Sequence, residues 1–144
     1  MLATGDKAPA FGLQWLASGG PVALVFFKVS CPVCQMSLPF LDRIAARGTG
    51  LRVAAVSQDD EAATDEFNSE LGVKHVEMLY DPPPYQASNA FRISSVPSLF
   101  VIEPDGTIST TIEAFSKADY EELGRRAGVE VFTASDRVPV FRPG

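Results

Sequence analysis

Short, wholly apolar runs alternate with longer stretches in which apolar residues recur every three or four positions. Residues 22–27 (VALVFF) are apolar throughout, the pattern of a strand covered on both faces. Residues 51–57 (LRVAAVS) and 98–102 (SLFVI) have the same character, residues 76–80 form a shorter run, and residues 11–16 alternate loosely enough for one more short strand. Between them, Val33, Met36, Phe40 and Ile44 mark a helix over residues 31–47, with Gln35, Asp42, Arg43 and Arg47 assigned to its solvent side. Pro32 is tolerated in the first turn, where its missing N–H costs nothing, whereas Pro39 lies deeper and is expected to kink the helix. Gly48 follows a basic last turn as a C′ residue.

Asp59, Asp60 and Glu61 open a second helix with the stripe Ala63, Phe67 and Leu71, and Gly72 ends it. After a proline-rich loop at 81–84, residues 85–91 read as a short helix. Pro104-Asp105-Gly106 turns the strand 98–102 back into its antiparallel partner, residues 107–112. The last helix starts at Ser116, with Asp119 three residues on and Phe115 and Tyr120 placed as a hydrophobic staple; Gly128 stops it. The order β-β-α-β-α-β-(α)-β-β-α contains two β-α-β units and a closing hairpin. It predicts an α/β domain with a central mixed β-sheet and helices on both faces. The domain is expected to span residues 1–128. Residues 129–144, with Val129, Val131, Phe132, Val138, Val140 and Phe141, form a tail too apolar to remain free, and are expected to pack on the same domain.

Composition narrows the function. A chain of 144 residues, 46% hydrophobic and 21% charged, is long enough to bury a core without disulfide or metal staples. The net charge of −6 and the lack of a basic patch exclude nucleic acid and anionic membrane as partners. No apolar run reaches the roughly 18 residues of a membrane helix. Residues 1–10 lack the basic start and apolar stretch of a signal peptide. The expectation is a monomer, cytoplasmic as the chain stands, and periplasmic or otherwise extracytoplasmic if a signal or anchor has been trimmed.

The chemistry concentrates on the two cysteines, Cys31 and Cys34, in one C-x-x-C at the junction of a buried strand and a helix. Only a thiolate attacks a disulfide, and the unpaired N–H groups and dipole of a helix N-terminus stabilise that anion. Cys31 receives this field, and Cys34, one turn deeper, can reach the first sulfur. One thiol is thus placed to attack and the other to resolve. Zinc would need about four ligands, and only His75 and carboxylates remain, so no metal is expected. Covalent haem attachment would need His where Gln35 stands. The bland alternative is a pair of inert buried cysteines. His75, in GVKHVEM, is assigned a structural role.

These residues resemble the thioredoxin superfamily, in particular thiol–disulfide oxidoreductases of the TlpA and ResA type, over about residues 5–127. The resemblance is carried by the opening GDKAPAF, by VALVFFKVSCPVCQMSLP, by LRVAAVSQD with Phe67, Gly72-Val73 and Asp81, and by VPSLF followed by Pro104-Asp105-Gly106. The wide separation of Cys34 from Pro97 favours this branch. The resemblance implies a thioredoxin-like fold, catalytic Cys31 and Cys34, and a cis Val96–Pro97 loop beside them. Pro32, Val33, Val96 and Pro97 would then bind substrate, with the Val96 backbone pairing with a substrate strand. It further implies protein thiol or disulfide substrates, a redox donor that the sequence does not name, and no cofactor beyond the redox-active Cys31–Cys34 disulfide. Three positions depart from the family pattern: Ser30 replaces an aromatic residue, Val25 a buried acid, and Ser37 a glutamate. No obvious carboxylate is left to accept the Cys34 proton. Lys28, three residues before Cys31, is a strand-end lysine within reach of the thiol.

Two related functions compete. A peroxiredoxin-like thiol peroxidase would want Thr or Ser where Lys28 stands and an Arg beside the reactive cysteine. A Cu(I)-binding module of the Sco type would space its cysteines by three residues and add a later histidine.

Overall fold

A computed structural model of the chain describes residues 1–9 and 20–144. The strand expected at residues 11–16 lies outside the described residues. Strand β1 (Val22–Phe27) is buried at every position, as its unbroken apolar run requires. It pairs in parallel with β2 (Arg52–Ser57), and β2 pairs in parallel with β3 (Glu77–Tyr80). On its other side β1 meets β4 (Ser98–Ile102), antiparallel, with Phe26 opposite Ser98. The hairpin partner β5 (Ile108–Glu113) completes the order β3-β2-β1-β4-β5.

Because strand side chains alternate, the sheet divides the apolar residues into two cores. Ala23, Val25 and Phe27 face one core, covered by helices α1 (Pro32–Arg47), α2 (Glu61–Leu71) and, after the two-residue strand β6 (Phe115–Ser116), α4 (Lys117–Arg126). Val22, Leu24 and Phe26 face the other, covered by the short helix α3 (Gln86–Ala90), the residue after it, Phe91, and the segment around Met1 and Leu2. Helices thus flank both faces of a mixed sheet.

The caps follow the local chemistry. Asp60 Oδ1 accepts the Ala63 N–H at 2.8 Å, and Gly72 ends α2 in the left-handed conformation (φ 70°). Ser116 Oγ accepts the Asp119 N–H at 3.3 Å, and the Phe115 and Tyr120 rings lie 5.0 Å apart as a staple. Helix α1 continues from Pro32 to Arg47 with Pro39 inside it.

Three expectations change. Asp42 does not face water. It is 7% exposed, and its Oδ1 accepts the backbone N–H groups of Lys74, His75 and Val76 at 3.0, 2.6 and 3.1 Å, while Oδ2 meets His75 Nδ1 at 3.1 Å. The carboxylate fastens α1 to the loop before β3. Gly48 ends α1 with an extended backbone (φ −76°), so no left-handed turn selects glycine there. Space does: a β-carbon would sit 2.6 Å from Ile44 O and 2.9 Å from Ala127 Cβ.

The tail does not pack uniformly either. Val129 and Val131 enter the core, Phe132 meets Phe40 edge to face at 4.8 Å between ring centres, and Arg43 holds Asp136 through two hydrogen bonds of 2.7 and 3.1 Å. Farther on, strand β7 (Phe141–Arg142) pairs antiparallel with β6, yet the Val140 and Phe141 side chains point to solvent, 78% and 58% exposed.

Candidate active site

Strand β1 delivers the chain to a tight turn at Lys28–Ser30, closed by the Cys31 N–H on Lys28 O at 3.3 Å. Neighbours brace this turn. Asp59 Oδ2 accepts the Val29 N–H at 2.8 Å, and Gln35 Nε2 donates to Val29 O at 2.9 Å. Asp59 reads in sequence as part of a helix start; Asp60 takes that role, and Asp59 is free to hold the cysteine turn.

Cys31 is the N-cap of α1, with extended backbone, and its Sγ accepts the Cys34 N–H at 3.1 Å. A sulfur there fills the place usually taken by a hydroxyl or carboxylate oxygen. Both cysteines are free thiols; Cys31 is partly exposed and Cys34 completely buried. Burial in the α1–α4 core pushes the Cys34 thiol pKa well up, and its hydrogen bond with Cys31 adds to that. Cys34 is therefore an inert thiol until its proton has somewhere to go.

The floor beneath Cys34 is built from α1 and α4. Ser37 Oγ and Tyr120 Oη are both buried and meet no hydrogen-bond partner among the described residues. Burial raises the Tyr120 phenol pKa, and both cysteines push it up further. No carboxylate among the described residues acts on Cys34.

The second wall comes from a distant part of the chain. The antiparallel pairing of β4 with β1 brings the Val96–Pro97 turn against Cys31, whose thiol donates to Val96 O at 3.5 Å. The Val96–Pro97 bond is cis. Ser98 Oγ, donating to Ser95 O at 2.7 Å, fixes the turn from beneath. An open cleft of about 440 Å³ runs between the two halves, lined among others by Lys28, Cys31, Pro32, Gln58, Tyr85 and Val96. Helix α3 forms its far side and is held by the buried Asp81, which accepts the N–H groups of Ala87 and Ser88 at 3.0 and 2.8 Å; Gln58 Nε2 ties in through Ser88 Oγ at 2.8 Å. Sequence reasoning did not find the bracing carboxylates Asp59 and Asp81. Their only local signal was an aspartate beside a helix start.

Of the residues singled out in the sequence, the structure brings together Cys31, Cys34, Pro32, Val96 and Pro97. Val33 is buried in the core, 4% exposed. His75 lies at the other end of α1, on Asp42. Among the described residues no group of three His, Cys, Asp or Glu side chains is placed to hold a metal ion.

Known proteins share this fold. The thioredoxin domain of a thiol-disulfide oxidoreductase from Bacteroides vulgatus superposes with a TM-score of 0.71 at 19% identity, covering 88% of this chain and 99% of that one. MTB dsbF superposes with a TM-score of 0.64 at 26% identity, covering 76% and 80%. The methylamine utilization protein MauD of Methylobacillus flagellatus is 26% identical over 117 residues, 72% of this chain and 54% of that protein, so the chain spans about half the length of this curated relative. The fold is thioredoxin-like. With the AhpC/TSA family matching residues 4–111, around both halves of the cleft, the chain belongs to the AhpC/TSA family.

Proposed function

We propose that the protein is a thiol–disulfide oxidoreductase that exchanges the Cys31–Cys34 dithiol with disulfides of protein substrates. The single observation that carries this reading is the pairing of a half-exposed N-cap thiol, in contact with the Cys34 N–H and Val96 O, with a fully buried second thiol one turn deeper. In the reducing direction the Cys31 thiolate attacks one sulfur of a substrate disulfide. The substrate S–S bond breaks, one substrate sulfur leaves as a thiolate, and Cys31 is joined to the other. Cys34 then gives up its proton, to water or to the substrate thiolate just released, and attacks the Cys31 sulfur. The mixed disulfide breaks, the second substrate thiolate leaves, and a Cys31–Cys34 bond forms. Two electrons have passed to the substrate, and a dithiol donor restores them by the reverse sequence.

The remaining roles belong to the same reading. Pro32 has no N–H and lies exposed beside Cys31, leaving that flank free of competing donors. The carbonyl of Val96 accepts from an extended substrate backbone, and buried Pro97 keeps that turn against the sulfur. Val33 contributes by packing α1, not by touching substrate. The electrons pass through the two sulfurs, and the Cys34 proton passes to water or to the released substrate thiolate.

The test uses two variants. Cys34→Ser keeps the attacking thiol and loses the resolving one, because a serine hydroxyl stays protonated near neutral pH. It accumulates reductant-sensitive covalent complexes with proteins on non-reducing gels after acid quenching and alkylation. Cys31→Ser leaves only the buried thiol and traps little. Equal trapping by both removes the assigned roles, and no trapping by either returns the pair to inert cysteines.

A further inference from the structure

The tail ends on the docking turn. After the firm anchor at Arg43–Asp136, the chain reaches β7, whose hold among the described residues is slight: two residue pairs with β6 and the Lys117 N–H on Val140 O at 3.0 Å. Pro143 has no N–H to extend that ladder. Gly144 then lies directly over the turn. A β-carbon there would overlap the Val96 carbonyl oxygen and would lie 2.8 Å from Val96 C and 3.3 Å from Pro97 Cδ. Gly144 and Cys31 line the same cleft, and the same Val96 carbonyl receives the Cys31 thiol.

We propose that residues 140–144 are an intramolecular occupant of the docking turn, and that a protein substrate reaches Cys31 by displacing them. The proposal rests on the reading that the Val96 backbone receives a substrate strand. Three features fit a displaceable occupant better than a structural strand. Its hydrogen bonds are few and lie at a sheet margin. Its large side chains, Val140 and Phe141, are the exposed large hydrophobics among the described residues, so they add little burial to hold it. The contact over Val96 is made by a glycine, the residue that lets a backbone approach another backbone most closely. The anchor at Val129, Val131 and Asp136 is separate, so the last residues can swing out while the rest of the tail stays docked.

The occupant also indicates what the turn accepts: an extended polypeptide with a small residue at the position over Val96. A small disulfide, which makes no strand pairing, needs no displacement. The experiment compares the native chain with a variant lacking residues 140–144 and with Gly144→Leu, which crowds Val96 without shortening the chain. Reduction of insulin is measured beside reduction of a small aromatic disulfide such as Ellman's reagent. Both variants are expected to raise kcat/KM for insulin several-fold, mainly through KM, and to leave the small-disulfide rate within about two-fold. An unchanged or lower insulin rate overturns the proposal. An equal rise with the small disulfide overturns it as well, since the segment would then merely screen Cys31. If the native chain and both variants fail to react with the small disulfide, the oxidoreductase reading itself fails, an outcome distinct from the other two.

Discussion

Replacing Asp42 by alanine is the sharpest test of how the cysteine helix is held. The carboxylate accepts three consecutive backbone N–H groups from the loop before β3, and one of these, on Val76, is in a fully buried bond. Alanine leaves that donor without an acceptor, which costs about 1–3 kcal/mol, while water replaces part of the partly buried bonds of Lys74 and His75. The sum is about 3 kcal/mol, or roughly 10 °C in Tm at about 2–4 °C per kcal/mol for a chain of this size. Asp42→Asn retains an oxygen in the Oδ1 position and turns its amide toward His75 Nδ1, which accepts in the neutral tautomer. It should lose only about 1 kcal/mol, the difference between a charged and a neutral acceptor. Urea unfolding of the reduced protein, with m checked for constancy, measures both. An alanine variant within 0.5 kcal/mol of the native chain, or an asparagine variant as damaged as alanine, would refute the capping argument.

The Arg43 guanidinium, first, and the Thr133 N–H hold the Asp136 carboxyl far below the usual carboxylate range. A pKa lower in the folded than in the unfolded chain, where it is about 3.9, contributes stability above that value, lost as pH falls through the folded one. The Tm gap between the native chain and Asp136→Asn should therefore hold from about pH 7 to pH 5 and shrink below about pH 4; a gap that persists unchanged to pH 2, or is missing at pH 7, contradicts this. Tyr120→Phe removes a buried hydroxyl that meets no partner among the described residues and keeps the ring against Phe115. It should stabilise the protein by about 1 kcal/mol, and a lower urea midpoint would show that the hydroxyl has a partner.

The pattern of apolar residues made the sheet and helices legible because β1 and β4 are buried on both faces and α2 and α4 start at short polar caps, all local properties. The placement of Cys31 at the helix start and of Cys34 buried one turn deeper was legible for the same reason, since a strand–helix junction sets it. Asp42 escaped because helical spacing describes which positions share a side, not what packs there; the partner loop lies more than thirty residues farther on. Gly48 was read through backbone conformation, yet its constraint is steric and comes from Ala127. Phe141 illustrates the limit of hydropathy: its apolar side chain suggested docking, whereas its backbone docks and its ring stays in solvent.

The order of the strands has a further consequence for how the chain matures. Cys31 and Cys34 belong to the first β-α-β unit, but the Val96 wall joins them only when β4 adds to β1 from the opposite side. During synthesis at about 5–20 residues per second, several seconds separate the emergence of the cysteines from that of their wall. Over that interval the nascent chain presents both sulfurs without the strand that later shields one flank, and pairing of such sequence-distant partners is the slow step expected of this topology. The thiols are consequently most open to adventitious oxidation before the domain is complete, a vulnerability set by chain order and not by the finished cleft.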